Sequence, residues 1–258
     1  MKEKIMTFFA QPPITRYDLN FRIAGIPVRV HPLFWLMGLL FASSSRNLVN
    51  ILIWIVAIFV SILIHELGHA LVMRAYGIKS QVILYVMGGL TVPESVWWGD
   101  KTVNISLNSK QENLVSFAGA GAGFLLAGLV MAISILMGGS IFTTSLFGVI
   151  PFPVVSLPWG GQLLSTFVMS MIWINIFWGV INLMPVYPLD GGNIARRLFV
   201  QADQYDGLRK SLWVSTIIGG VIAVVGLTLL SSFYMAFLFG ILAVQSYLAL
   251  RGKPGIPF

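Results

Sequence analysis

Apolar residues in this chain come in long blocks rather than alternating with charges, and that feature decides what it can fold into. A hydrocarbon core about 30 Å thick is crossed by a helix of about 20 apolar residues, and several blocks reach that length. Only 10% of the 258 residues are charged, against 57% hydrophobic. A water-facing domain carries about 25% charged side chains, so polar material for an ordinary soluble surface is lacking. The chain reads as an all-α polytopic membrane protein whose surroundings are the lipid bilayer.

Six spans follow from the apolar blocks: Pro32 to Ala42, Leu48 to Tyr76, Leu114 to Met137, Gln162 to Met184, Leu212 to Leu230 and Phe233 to Leu250. Gly77 looks like the C-terminal cap of the second. Residues 1–30 form an N-terminal arm and residues 31–258 a membrane-embedded domain, with its core at 48–200 and additional helices at 212–250. The arm carries Lys2, Lys4, Arg16, Arg22 and Arg29 without an apolar stretch and cleavage site, so the first helix is expected to act as the insertion signal. With both termini in the cytoplasm, Arg46 alone of the sixteen basic residues falls outside. That asymmetry supports six spans in a cell membrane.

The absence of cysteine excludes disulfide frameworks and thiolate metal sites. The net charge of +7 has no clustered basic motif with interleaved aromatics, so no nucleic acid partner is expected. Between the second and third spans, Gln81 to Val92 is rich in β-branched residues and broken by Gly88-Gly89. It reads as a membrane-associated β-hairpin. Alternation at Val103, Ile105 and Leu107 suggests another strand between Thr102 and Asn108. The apolar segment from Ile141 to Gly161 is interrupted by Pro151, Pro153 and Pro158, and reads as an interfacial loop.

The chemistry concentrates in His65-Glu66-Leu67-Gly68-His69. Positions four apart on a helix face nearly the same way, so His65 and His69 can grip one ion. Glu66 is turned about a hundred degrees away, within reach of a water on that ion. This is the HExxH arrangement of zinc hydrolases. Two histidines and a glutamate satisfied within a helix bundle are the structural alternative, a costly one in an apolar helix without partners. A hydrolytic zinc generally has three protein ligands. Asp190, in Pro188-Leu189-Asp190-Gly191-Gly192, is the outstanding candidate for the third, and a helix cap or turn residue is its other reading. His31, the remaining histidine, is either an extra ligand or, since His-Pro marks a helix start, an anchor of the first span.

HELGH on an early membrane helix followed by a distant Pro-Leu-Asp-Gly-Gly turn resembles the site-2 protease family of intramembrane zinc metalloproteases. His31-Pro32, Gly88-Gly89 in a hydrophobic hairpin, and Asn182-Leu183-Met184-Pro185 extend the resemblance over roughly residues 25 to 200. The six-span arrangement is similar to the compact group that includes the bacterial sporulation protease, without that group's frequent C-terminal CBS domain. The family's Gly-Pro-x-x-Asn-like motif is replaced here by Ala118-Gly119-Ala120-Gly121-Ala122-Gly123, glycines that read as close-packing positions.

The resemblance implies that His65, His69 and Asp190 ligate Zn2+ and that Glu66 is general base and then proton donor. It also implies that Asn182 steadies the oxyanion or positions substrate, and that the hairpin at Gly88 and Gly89 pairs with an extended substrate by strand addition. The expected function is hydrolysis of peptide bonds within or near transmembrane segments, as in regulated intramembrane proteolysis. A single-span membrane protein is the expected substrate, with a regulatory membrane partner and the oligomeric state left open. Two other readings are a metal-binding relative without activity and an ion or proton transporter. Glu66 argues against the first, because binding alone has no need of it. Convergence of the polar groups on two segments argues against the second.

Overall fold

The computed structural model describes residues 11–42, 47–93, 97–98, 101–102, 106–146, 150–229 and 232–252. Lys2, Lys4, Arg46 and Lys253, on which the orientation argument partly rests, lie outside these residues. So do Val103 and Ile105 of the expected strand. Two compact units emerge among the described residues, one holding 11–106 and 118–180, the other 107–117 and 181 onward.

In the first unit, β1 (Leu19–Ile23) and β2 (Ile26–Val30) form an antiparallel hairpin. Its two-residue turn, Ala24-Gly25, has φ of 49° and 82°, the positive pair that matches a hairpin's twist. After α1 (Leu33–Ala42) and α2 (Leu48–Ala75), the chain returns as β3 (Ser80–Tyr85), parallel to β2, and turns back as β4 (Gly88–Pro93). The hairpin expected around Gly88-Gly89 therefore belongs to a four-stranded sheet, β1-β2-β3-β4, with β4 at one edge. Its turn is Val86-Met87, and both glycines are strand residues. The inward faces of β2 and β3 supply Val28, Val30, Val82 and Leu84, packed with Phe34, Met37 and Ile62.

The arm preceding β1 is tied down by Arg29. This buried guanidinium bonds Asp18 at 3.1 Å and reaches the carbonyls of Pro12 and Pro13. Burial pushes the Asp18 carboxyl up, but hydrogen bonds from Thr15 and Arg29 outweigh it and hold it below the ordinary carboxylate range.

Asn47 caps α2 by accepting from the Val49 N–H at 2.9 Å. At the other end, Gly77 with φ of 80° donates to Arg74 O, and Ile78 donates to Met73 O. This is the paired-bond stop that a glycine just past a helix permits. Two further short strands follow, β5 (Trp97–Trp98) and β6 (Lys101–Thr102). Next come α3 (Ser109–Leu136), then β7 (Ser140–Leu146) and β8 (Ile150–Ser156), then α4 (Gly161–Asn182). The segment expected as a loop is thus a two-stranded ribbon. Pro151 and Pro153 fit in β8 because each strand of a two-stranded ribbon has an unpaired side needing no N–H donor.

The second unit contains α5 (Asp190–Ala202), α6 (Gly207–Thr228) and α7 (Phe233–Leu250). Val186, Phe239 and Leu242 form its core. Gly219 lets α6 come against Ala243 of α7, where an added Cβ would stand 3.2 Å from the alanine methyl. Arg197 of α5 pairs with Glu112 at 2.8 Å and bonds Asn113 and Ser116.

Between α5 and α6, a 2.7 Å bridge from Lys210, then the N–H groups of Asp206 and Tyr205, pull the Asp203 carboxyl down to about 2. A lowered folded-state value stabilises above the ordinary carboxylate range and ceases to do so as pH falls toward 2. Asp203→Asn is expected to lower the melting temperature in detergent at pH 6 and to leave it unchanged below pH 2.

Five helices among the described residues are long and apolar enough to cross a membrane: α2, α3, α4, α6 and α7. The expected first span corresponds to α1, whose ten residues extend only about 15 Å. Six spans were expected and five helices meet the length requirement. α1 is half as long as a crossing helix needs to be.

Candidate metal centre

The HELGH segment lies in the C-terminal half of α2, where His65, Glu66 and His69 are all buried. Helical spacing brings His65 Nε2 and His69 Nε2 to 3.2 Å. Two nitrogens held about 2.0–2.1 Å from a tetrahedral zinc ion would lie about 3.3 Å apart. The pair therefore already has the spacing of two imidazole ligands.

The space before these nitrogens is kept open by α3. A Cβ added at Gly119 would stand 2.6 Å from His65 Nε2 and closer still to His69 Nε2. Gly68 permits the approach of the two helices, since a Cβ there would meet the Ala118 carbonyl and lie 2.8 Å from the Ala122 methyl. The glycine run reads from sequence as close packing. Gly119 has the additional effect of leaving room for an ion where both rings point.

Glu66 is held by the sheet. The Thr91 hydroxyl of β4 donates to Glu66 Oε2 at 2.7 Å and lies 3.1 Å from its backbone oxygen. A Cβ at Gly89 would run into Glu66 Cγ and Oε1, so only glycine allows β4 to lie over this carboxylate. Gly88, with φ of 114°, abuts Trp178, whose ring would be 2.8 Å from an added Cβ. The sequence reading missed Thr91. Its one legible signal was a threonine at alternating spacing from Gly89 in an otherwise apolar strand. Thr91→Val is expected to reduce turnover by roughly 10- to 100-fold with metal content unchanged, the usual range for a hydrogen bond to a charged group.

Asp190 is the first residue of α5, with Leu189 at the cap position, so it lies within a helix's first turn. Gly191 and Gly192 let this turn press on the preceding backbone, where an added Cβ would strike Leu183 and Val186. His65, His69 and Asp190 each offer one ligand atom, and these three atoms lie within 4.8 Å of one another. Two imidazoles and a carboxylate form a donor set suited to zinc, as in thermolysin-type sites. Asn182 is buried at the end of α4. His31 is buried before α1, its Nδ1 accepting from the Leu33 N–H at 3.3 Å, as a residue that starts a helix does.

Five helices long and apolar enough to cross a membrane, and two histidines and a carboxylate whose ligand atoms lie close enough to hold a metal ion, define the class: a multi-pass membrane protein with a candidate metal site. The model of peptidase family M50 matches residues 53–226, and the chain belongs to that family.

The chain is 26% identical to zinc metalloprotease MJ0392 of Methanocaldococcus jannaschii over 233 residues, 89% of this chain and 56% of that protein. It spans about half the length of the curated relatives it matches. A solved structure of the site-2 protease from Methanocaldococcus jannaschii shares the fold, with a TM-score of 0.52 at 23% identity over 94% of this chain and 99% of that one.

Proposed function

We propose that this protein is an intramembrane zinc metalloprotease that hydrolyses peptide bonds within or near transmembrane segments of single-span membrane proteins. The observation that carries the reading is the convergence of the ligand atoms of His65, His69 and Asp190 beside a carboxylate that a separate strand holds in place. The name of its relative, a zinc metalloprotease, supports the same chemistry.

Zinc held by these three residues would supply a Lewis acid that polarises the scissile carbonyl and acidifies water. Glu66 takes the proton from the attacking water and returns it to the leaving amine. Thr91 occupies Oε2, which leaves Oε1 to carry that proton. Asn182 donates to the developing oxyanion. β4, at the edge of its sheet, pairs with the substrate once its helix has opened locally, because strand addition presents backbone carbonyls that a helix conceals. Residues 48–200 form the catalytic core and 212–250 add helices to it. Both termini face the cytoplasm of a cell membrane, in keeping with the distribution of Lys and Arg.

The test is cleavage of a single-span substrate by the whole chain in proteoliposomes. Chelation should abolish cleavage and added zinc should restore it. Asp190→Asn is expected to lower zinc affinity by at least about tenfold, measured as metal content after purification. Unaltered zinc content in that variant would remove Asp190 from the ligand set.

A further inference from the structure

The β1–β2 turn meets the C-terminal end of α2 through a 2.6 Å hydrogen bond from Arg74 Nη1 to Ala24 O. Behind this contact lies a cavity of about 340 Å³ whose lining includes Arg22, Arg74, Lys79 and Ser80, with no Asp or Glu among the lining residues. Small-molecule sites occupy roughly 300–1,000 Å³. Three exposed cations along one cavity, with no carboxylate among its lining residues, give it a positive potential that favours an anion. Arg74 has spent one donor on Ala24 O and keeps others in a planar fork suited to phosphate oxygens. Ser80 is buried, and its Oγ has no hydrogen-bond partner among the described residues.

The position of the cavity selects the source of the anion. It lies where α2, one of the helices long and apolar enough to cross a membrane, ends at Ala75 and its backbone turns through Gly77. A 28-residue helix is about 42 Å long and outreaches a hydrocarbon core of about 30 Å, which brings its end to headgroup depth. Basic pockets at that depth bind lipid phosphates. We propose that this cavity binds the phosphate headgroup of an anionic phospholipid, with Arg22, Arg74 and Lys79 as its cationic partners.

The experiment titrates a fluorescent phosphatidylglycerol onto the whole chain in a non-ionic detergent, so that the readout is independent of peptide hydrolysis. Saturable binding at one lipid per chain is expected, with phosphatidylcholine at least tenfold weaker. The double variant Arg22→Gln/Lys79→Gln is expected to weaken binding by about 25-fold, roughly fivefold for each charge removed. Both side chains are exposed, so its melting temperature should match the parent. Arg209→Gln, which removes an exposed charge on α6, should change nothing. Equal binding by the double variant and its parent, or by the two lipids, would overturn the proposal. Displacement by millimolar inorganic phosphate as effective as by the lipid would also overturn it, because the ligand would then be the free anion.

Discussion

Glu66→Gln is expected to lower peptide hydrolysis by at least about a thousandfold while leaving the zinc content of the purified protein unchanged. The glutamine amide has the shape of the carboxylate and can still accept from Thr91, so the packing of β4 over α2 is preserved. What it loses is the ability to accept a proton. General acid–base groups contribute about 10²–10⁴-fold, and this residue is asked to act in both directions. Cleavage in proteoliposomes and metal analysis of the same preparation read the two effects separately. Full activity in the variant would exclude Glu66 as the base, and loss of metal would show that it acts through the ligands instead.

Gly119→Ala is expected to yield a folded protein with little zinc. The added methyl would occupy the space between His65 Nε2 and His69 Nε2. Its nearest neighbours are the far ends of two side chains rather than backbone, so the rings can swing aside and the helices need not part. Loss of hydrogen bonds to metal ligands already costs about 10–100-fold in affinity. Displacing both rings should cost at least the upper figure. Gly123→Ala is the control, because its Cβ would stand 3.4 Å from Asn175, an ordinary contact. Equal zinc in Gly119→Ala and the parent, with both melting alike, would mean that the ion does not lie in front of these nitrogens.

Much of the site was legible because its chemistry is local in sequence. His65, Glu66 and His69 lie within two turns of one helix, and helical periodicity alone aligns the histidines. Asp190 could be reached only by asking which carboxylate could complete the set, since no periodicity links residues so far apart in sequence. That it begins a helix was not legible: α5 is short, and its opening Asp-Gly-Gly reads equally well as a turn. The Gly88-Gly89 hairpin could be recognised, but not its pairing. β2 and β3 are parallel neighbours separated by α1 and α2, and strand order over such a separation leaves no mark in either strand.

By itself, the sequence determined that the chain enters a membrane, that α2 carries two imidazoles on one face and a carboxylate beside them, and that no thiolate takes part. These follow from composition and from the pitch of a helix, which are properties of contiguous residues. Only the tertiary structure decided that Gly119 opens the space before the rings, that Thr91 and Gly89 hold Glu66, and that Arg22, Arg74, Lys79 and Ser80 line one cavity. Each of these depends on how closely two distant backbones approach. That distance is set by the packing of whole helices and strands, and no short stretch of residues encodes it.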